Sequence, residues 1–137
     1  MMADERTVRV LRADATYVGK QGLTYALGVT AGTAESRGVC LTTATMPSGA
    51  RAKAHYHEAI DTVGYIIAGE SLILYGEALE SAVVAAEGDY FFIPSGMPHA
   101  PLNRSGAPCT FVVAHAAGDD QEGIVMCPDL DAVPIPA

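Results

Sequence analysis

The sequence has no tryptophan, and its 137 residues include only three cysteines, four histidines and eight lysines and arginines. Each scarcity excludes something. Eight basic residues against sixteen acidic ones give a net charge of −8, with no basic cluster and no basic amphipathic helix, so no nucleic-acid or membrane partner is expected. Cys40, Cys109 and Cys127 are odd in number and lack C-x-x-C spacing, which argues against a disulfide framework or a zinc knuckle. They read as small apolar residues in strands, and only Cys109 is a candidate thiol near a pocket. No apolar run approaches the roughly 18 residues of a membrane span. The opening MMADERTVRVLRAD has no apolar leader region, so a cytoplasmic protein is expected.

What remains is half apolar and cut into short runs by 14 glycines and 8 prolines, the composition of an all-β chain with many turns. Its length suits one domain over residues 1–137. Residues 23–29, LTYALGV, alternate with period two, 38–46, GVCLTTATM, are β-branched, and YFFI and CTFVVAHA read as further strands. Residues 77–87, EALESAVVAAE, have helical propensity, but the valines of the second half favour a strand. Val8, Val10 and Tyr17 suit an edge strand near the start.

Polar chemistry concentrates in two stretches. In 49–69 stand Gly49, His55, His57, Asp61 and Gly69, and in 88–103 stand Gly88, Pro94, Gly96, His99 and Asn103. Alternation puts His55 and His57 on one face of a strand, within reach of one ion, with Tyr56 and Glu58 on the other. Asp61, Val63, Tyr65 and Ile67 share a phase that is expected to enter the interior. Pro94 to Pro98 forms a rigid loop that delivers His99 with little conformational freedom. Asn103 is expected to tie down its own loop.

These stretches resemble the two motifs of the cupin superfamily. The second, G-x5-P-x-G-x2-H-x3-N, is matched at every fixed position. The first, G-x5-H-x-H-x3,4-E-x6-G, is matched at both glycines and both histidines, while Asp61 stands where Glu is usual and seven residues rather than six precede Gly69. The resemblance implies an all-β cupin double-stranded β-helix, a jelly-roll barrel with a core over 38–127. It also implies a homodimer in which N-terminal strands within 1–37 or the Pro-rich tail 128–137 extend a partner's sheet. His55, His57, Asp61 and His99 are the metal ligands it implies. Three imidazoles and a carboxylate suit one divalent transition metal ion such as Fe, Mn, Ni or Zn, with positions left open for a small-molecule substrate. Asp is one methylene shorter than Glu, so Asp61 binds directly on a closer backbone, binds through water, or leaves three histidines alone; a rotated Glu58 is the remaining carboxylate.

Two further residues are catalytic candidates. His115 is either a hydrogen-bonded core or rim residue or, if it points inward, a general base. Tyr65 is either a barrel-filling aromatic or a substrate hydrogen-bond and proton donor. Phe91, Ile93, Met97 and Ile67 are the expected pocket lining. Arg51, Lys53 and Arg104 are expected on the solvated surface. Function is read as a metal-dependent enzyme acting on a small organic molecule, with Fe(II) dioxygenase chemistry first. The alternatives are a redox-neutral isomerase, decarboxylase or cyclase that uses the ion as Lewis acid, and a non-catalytic binding barrel.

Overall fold

The structure, a computed structural model, describes residues 7–12 and 15–136. Its strands are β1 (Thr16–Val18), β2 (Thr24–Val29), β3 (Cys40–Met46), β4 (His55–His57), β5 (Thr62–Ala68), β6 (Glu70–Tyr75), β7 (Ser81–Ala86), β8 (Tyr90–Ile93), β9 (His99–Leu102), β10 (Cys109–His115) and β11 (Ile124–Met126). One helical turn, α1 (Ala31–Ala34), capped by the Thr30 side chain, follows β2, and a 3-10 turn at Pro128–Leu130 follows β11.

The strands pair antiparallel into a six-stranded sheet, β1-β2-β3-β10-β5-β8, and a five-stranded sheet, β11-β4-β9-β6-β7. From β3 to β11 the chain changes sheet at every step except the β6–β7 hairpin. This is the jelly-roll winding of a double-stranded β-helix. The crossing from β5 to β6 passes through Gly69 at φ +81°, where a Cβ would stand 2.4 Å from the Pro108 carbonyl oxygen, so only glycine fits.

Alternation decides which face each residue shows. Cys109, Phe111, Val113 and His115 of β10 face inward and are buried, while Thr110, Val112 and Ala114 face outward. Tyr25, Met46, Ile66, Ile73, Phe111 and Val113 belong to the core between the sheets. A second apolar cluster lies on the outer face of the five-stranded sheet, where Leu72, Leu74, Ala100 and Leu102 are covered by Cys127, Leu130 and Val133. Strand β6 is therefore buried on both faces, which explains why its sequence SLIL does not alternate. Burying leucines such as Leu74 and Leu102 stabilises the fold by about 2 kcal/mol each.

This second cluster places the tail along the surface of the barrel. The tail is taken up by its own barrel: Arg51 donates to the carbonyl oxygens of Val133 (2.7 Å) and Leu130 (3.5 Å), Arg104 donates to that of Pro136 (3.0 Å), and Asp131 accepts from the Ala54 N–H (2.7 Å). Near the start, Val8 and Val10 belong to no strand and are 98% and 78% exposed; Tyr17 lies in β1. Residues 1–6 and 13–14 of the proposed N-terminal arm lie outside the described residues. The second half of the 77–87 stretch is β7, and Asn103 ties its loop by donating to the Met46 and Ala107 carbonyls and accepting from Ser105.

Candidate metal centre

His55 and His57 both point inward from β4, and His99 points inward from the adjacent β9, directly opposite His55 in the register. Each of the three offers a ring nitrogen, and these nitrogens lie within 4.8 Å of one another. All three rings are buried. The loop before His99 is fastened to β4, because the Gly96 N–H donates to the His57 carbonyl at 2.8 Å.

The hydrogen bonds set the ring chemistry. His55 Nδ1 lies 2.8 Å from the Lys53 carbonyl oxygen, and His99 Nδ1 lies 2.9 Å from that of Met97. A carbonyl only accepts, so each Nδ1 carries the proton and each Nε2 is left with its lone pair free for an ion. Burial, reinforced by the neighbouring imidazoles, pushes His57 and His99 down to about 3. Burial also lowers His55, against the opposing pull of the Lys53 carbonyl and Asp131. Three imidazoles held neutral over the physiological range are what a divalent transition metal requires, so these residues fit the ion.

Asp61 is not with them. It is exposed, and its carboxylate accepts a hydrogen bond from the Ser95 N–H at 2.9 Å, so it braces the loop that carries His99. The reason is register. Asp61 precedes β5, which starts at Thr62, and because side chains alternate along a strand Asp61 falls in the outward set, while Thr62, with six residues between it and Gly69, takes the inward place. Thr62, Gly64 and Ile66 therefore face the interior, and Val63, Tyr65 and Ile67 face outward. Tyr65 is thus no catalytic candidate: it packs on Tyr90 of the neighbouring strand, ring centroids 4.8 Å apart. Glu58 is exposed as well.

His115 does point inward. Its ring stacks on His57 at 4.6 Å between centroids, with Nδ1 3.9 Å from the Cys40 sulfur. Its Nε2 is buried without a hydrogen-bond partner, as is His57 Nδ1. Burial lowers the His115 pKa, with Asp120 pulling the other way. The thiol beside the site is thus Cys40, which burial pushes up to about 11, whereas Cys109 belongs to the core between the sheets.

The four histidines line one cavity of about 40 Å³, room for roughly three waters. Phe91 and Ile93 line it as expected, but Ile67 and Met97 do not. Sequence reasoning missed Gln21, Tyr25, Thr62 and Ser71, all of which contribute to the wall, and among the described residues no Lys, Arg, Asp or Glu does. Gln21 and Tyr25 belong to a hydrogen-bonded chain in which Gln21 donates to Tyr25, Gln121 donates to Gln21 and Asp120, and Tyr17 donates to buried Asp120. This chain fastens the loop after β10 across one side of the cavity. Ile73, Phe91 and Ile93 also wall a larger hollow of about 490 Å³ that adjoins β7 and β8.

The cupin domain family model matches residues 42–115, more than half of the chain and all of the candidate histidines. The chain belongs to the cupin family. No curated protein matches this cupin. Among solved structures it is similar to a Klebsiella pneumoniae protein with a double-stranded β-helix domain, at 16% identity over 88% of this chain and 98% of that one, with a TM-score of 0.69. It is similar to Bacillus subtilis oxalate decarboxylase, a protein with Mn(II) centres, at 18% identity over 80% of this chain and 29% of that one, TM-score 0.66. The DMSP lyase DddQ of Ruegeria pomeroyi matches at 27% identity over 66% of this chain and 44% of that one, TM-score 0.56.

Proposed function

We propose that this cupin is a metal-dependent enzyme that acts on a small organic molecule by a redox-neutral reaction, an elimination, decarboxylation or isomerisation. The observation that carries the reading is His115: a fourth imidazole, buried, stacked on His57, lining the shared cavity, with Nε2 unpartnered. His55, His57 and His99 would hold a borderline divalent ion, Mn, Fe, Ni or Zn. When bound, the ion supplies Lewis-acid polarisation of a ligand oxygen. His115 Nε2 takes or returns the proton, and the apolar walls of Ile66, Ile73, Phe111 and Val113 exclude bulk water from it. Similarity to a decarboxylase and a lyase supports this class of reaction.

The test is proton transfer itself. Metal-loaded protein under argon, in D₂O, is expected to exchange hydrogen for deuterium next to the carbonyl of small chelating keto compounds. His115→Gln should slow this by about a hundredfold while metal content stays the same. Exchange unchanged in that variant would sink the role of His115. A second reading, Fe(II) dioxygenase chemistry, is favoured by one observation: with Asp61 outside, three neutral histidines leave more open positions for O₂ and a chelating substrate. Oxygen uptake by the iron form, absent from the zinc form, would put that reading first.

A further inference from the structure

Five buried side-chain atoms have no hydrogen-bond partner among the described residues, and four of them belong to residues that line the histidine cavity: His57, His115, Thr62 and Ser71. A buried hydroxyl without a partner costs about 1–3 kcal/mol, so a native structure that keeps several in one cavity points to something that binds there. Two of the four are neighbours. Thr62 and His115 are register partners on β5 and β10, both facing inward from the six-stranded sheet, in the row Cys40, His115, Thr62, Ile93. The three ligand histidines face them from the five-stranded sheet. The cavity thus has an ion-binding wall and, opposite it, a wall that carries a hydroxyl and an imidazole nitrogen, both free.

We infer that Thr62 Oγ1 and His115 Nε2 form a second recognition point, and that the ligand is a small O,O chelator that carries a neutral hydroxyl or carbonyl beside the chelating unit. The inference rests on the metal-centre reading of the three histidines. Its chemistry follows from the lining. Among the described residues no Lys or Arg lines the cavity: Arg51 and Arg104 are engaged with the tail and Lys53 is exposed. A second carboxylate at this wall would be buried without a counter-charge, whereas a hydroxyl can donate to the imidazole nitrogen and accept from the threonine. Thr62 is 4% exposed, so its hydroxyl is shielded from bulk water.

The probes are acetohydroxamate and glycolohydroxamate, which present the same O,O chelate and differ by one neutral hydroxyl. Both are titrated into Co(II)-loaded protein, with the visible spectrum of the ion as readout. Wild type is expected to bind glycolohydroxamate about tenfold tighter, the worth of one neutral hydrogen bond. Thr62→Val, close to isosteric, should bind Co(II) equally well and lose the preference, and Thr62→Ser should keep it. Equal affinities in wild type, or a preference that survives Thr62→Val, would overturn the inference and leave the metal centre standing. A folded protein that takes up no Co(II) would overturn the metal reading, and this inference with it.

Discussion

The two sheets are paired alike, yet they carry different burdens on both of their faces. The five-stranded sheet holds the three ligand histidines on its inner face and is sealed outside by Leu130 and Val133 of the tail. Its β4 and β9 are thus held from both sides, which fixes the rotamers of side chains that must converge on one point. The six-stranded sheet holds Thr62 and His115 inside, and its outer face shows Leu41, Val63, Ile67, Tyr90 and Phe92 to solvent without a charged residue among its outward-facing strand positions. No described residue covers that face. The sealed sheet carries the three histidines that could hold an ion, and the uncovered one carries the hydroxyl and the imidazole opposite them.

The comparison can be broken most severely at the ion-binding wall. Removing one ligand by His99→Ala is expected to cut metal affinity by more than about a hundredfold, read as loss of near-stoichiometric metal in elemental analysis. Phe91 is the next largest. Its ring occupies the space that Gly64 leaves by having no side chain, and it divides the small cavity from the larger hollow. Phe91→Ala should join the two, admit bulkier chelators and cost about 3 kcal/mol in denaturant unfolding. Leu130→Asp, which unseals the five-stranded sheet, should cost about 2 kcal/mol, whereas Phe92→Ser on the bare face should stay within about 0.5 kcal/mol.

A pH titration sharpens the same contrast. The ligand histidines are depressed below their ordinary 6.5, to about 3 for His57 and His99. The unfolded chain therefore takes up protons first as pH falls, and metal-free protein loses stability between about 6.5 and about 3, by up to about 1.4 kcal/mol per pH unit for each histidine. Loaded protein should resist longer and then release metal steeply. A small effect likewise belongs to Asp61→Ala: metal content unchanged by elemental analysis, and a loss of about 1 kcal/mol or less from the freed loop.

Much of this was legible in the sequence, for physical reasons that also mark where it stopped. Turn glycines and the rigid Pro94 to Pro98 loop fix the barrel and the position of His99, and alternation places His55 and His57 together. The phase of β5 was not legible. Its outward set, Val63, Tyr65 and Ile67, is as apolar as its inward set, so hydrophobic alternation could not choose between them. The seven-residue spacing before Gly69 and the small Gly64, set against the Phe91 ring, were the signals that would have done so, and would have found Thr62 in place of Asp61. The pairing of Cys40 with His115 depends on β3 lying beside β10, a neighbourhood about 70 residues apart in the chain that no local pattern reports.

The register between β4 and β9 consists of one pair, His55 opposite His99, beside the bridge from Arg51 to Leu102. The other neighbours in that sheet pair over three, four and six residues. Backbone bonds from Gly49, Ala52, Gly96 and Asn103 continue the seam beyond that pair, and an ion held by the three histidines would add a further rivet across it. In hydrogen exchange, amides of β4 and β11 should open together in metal-free protein and close on loading, while those of the β6–β7 hairpin exchange at nearly the same slow rate in both.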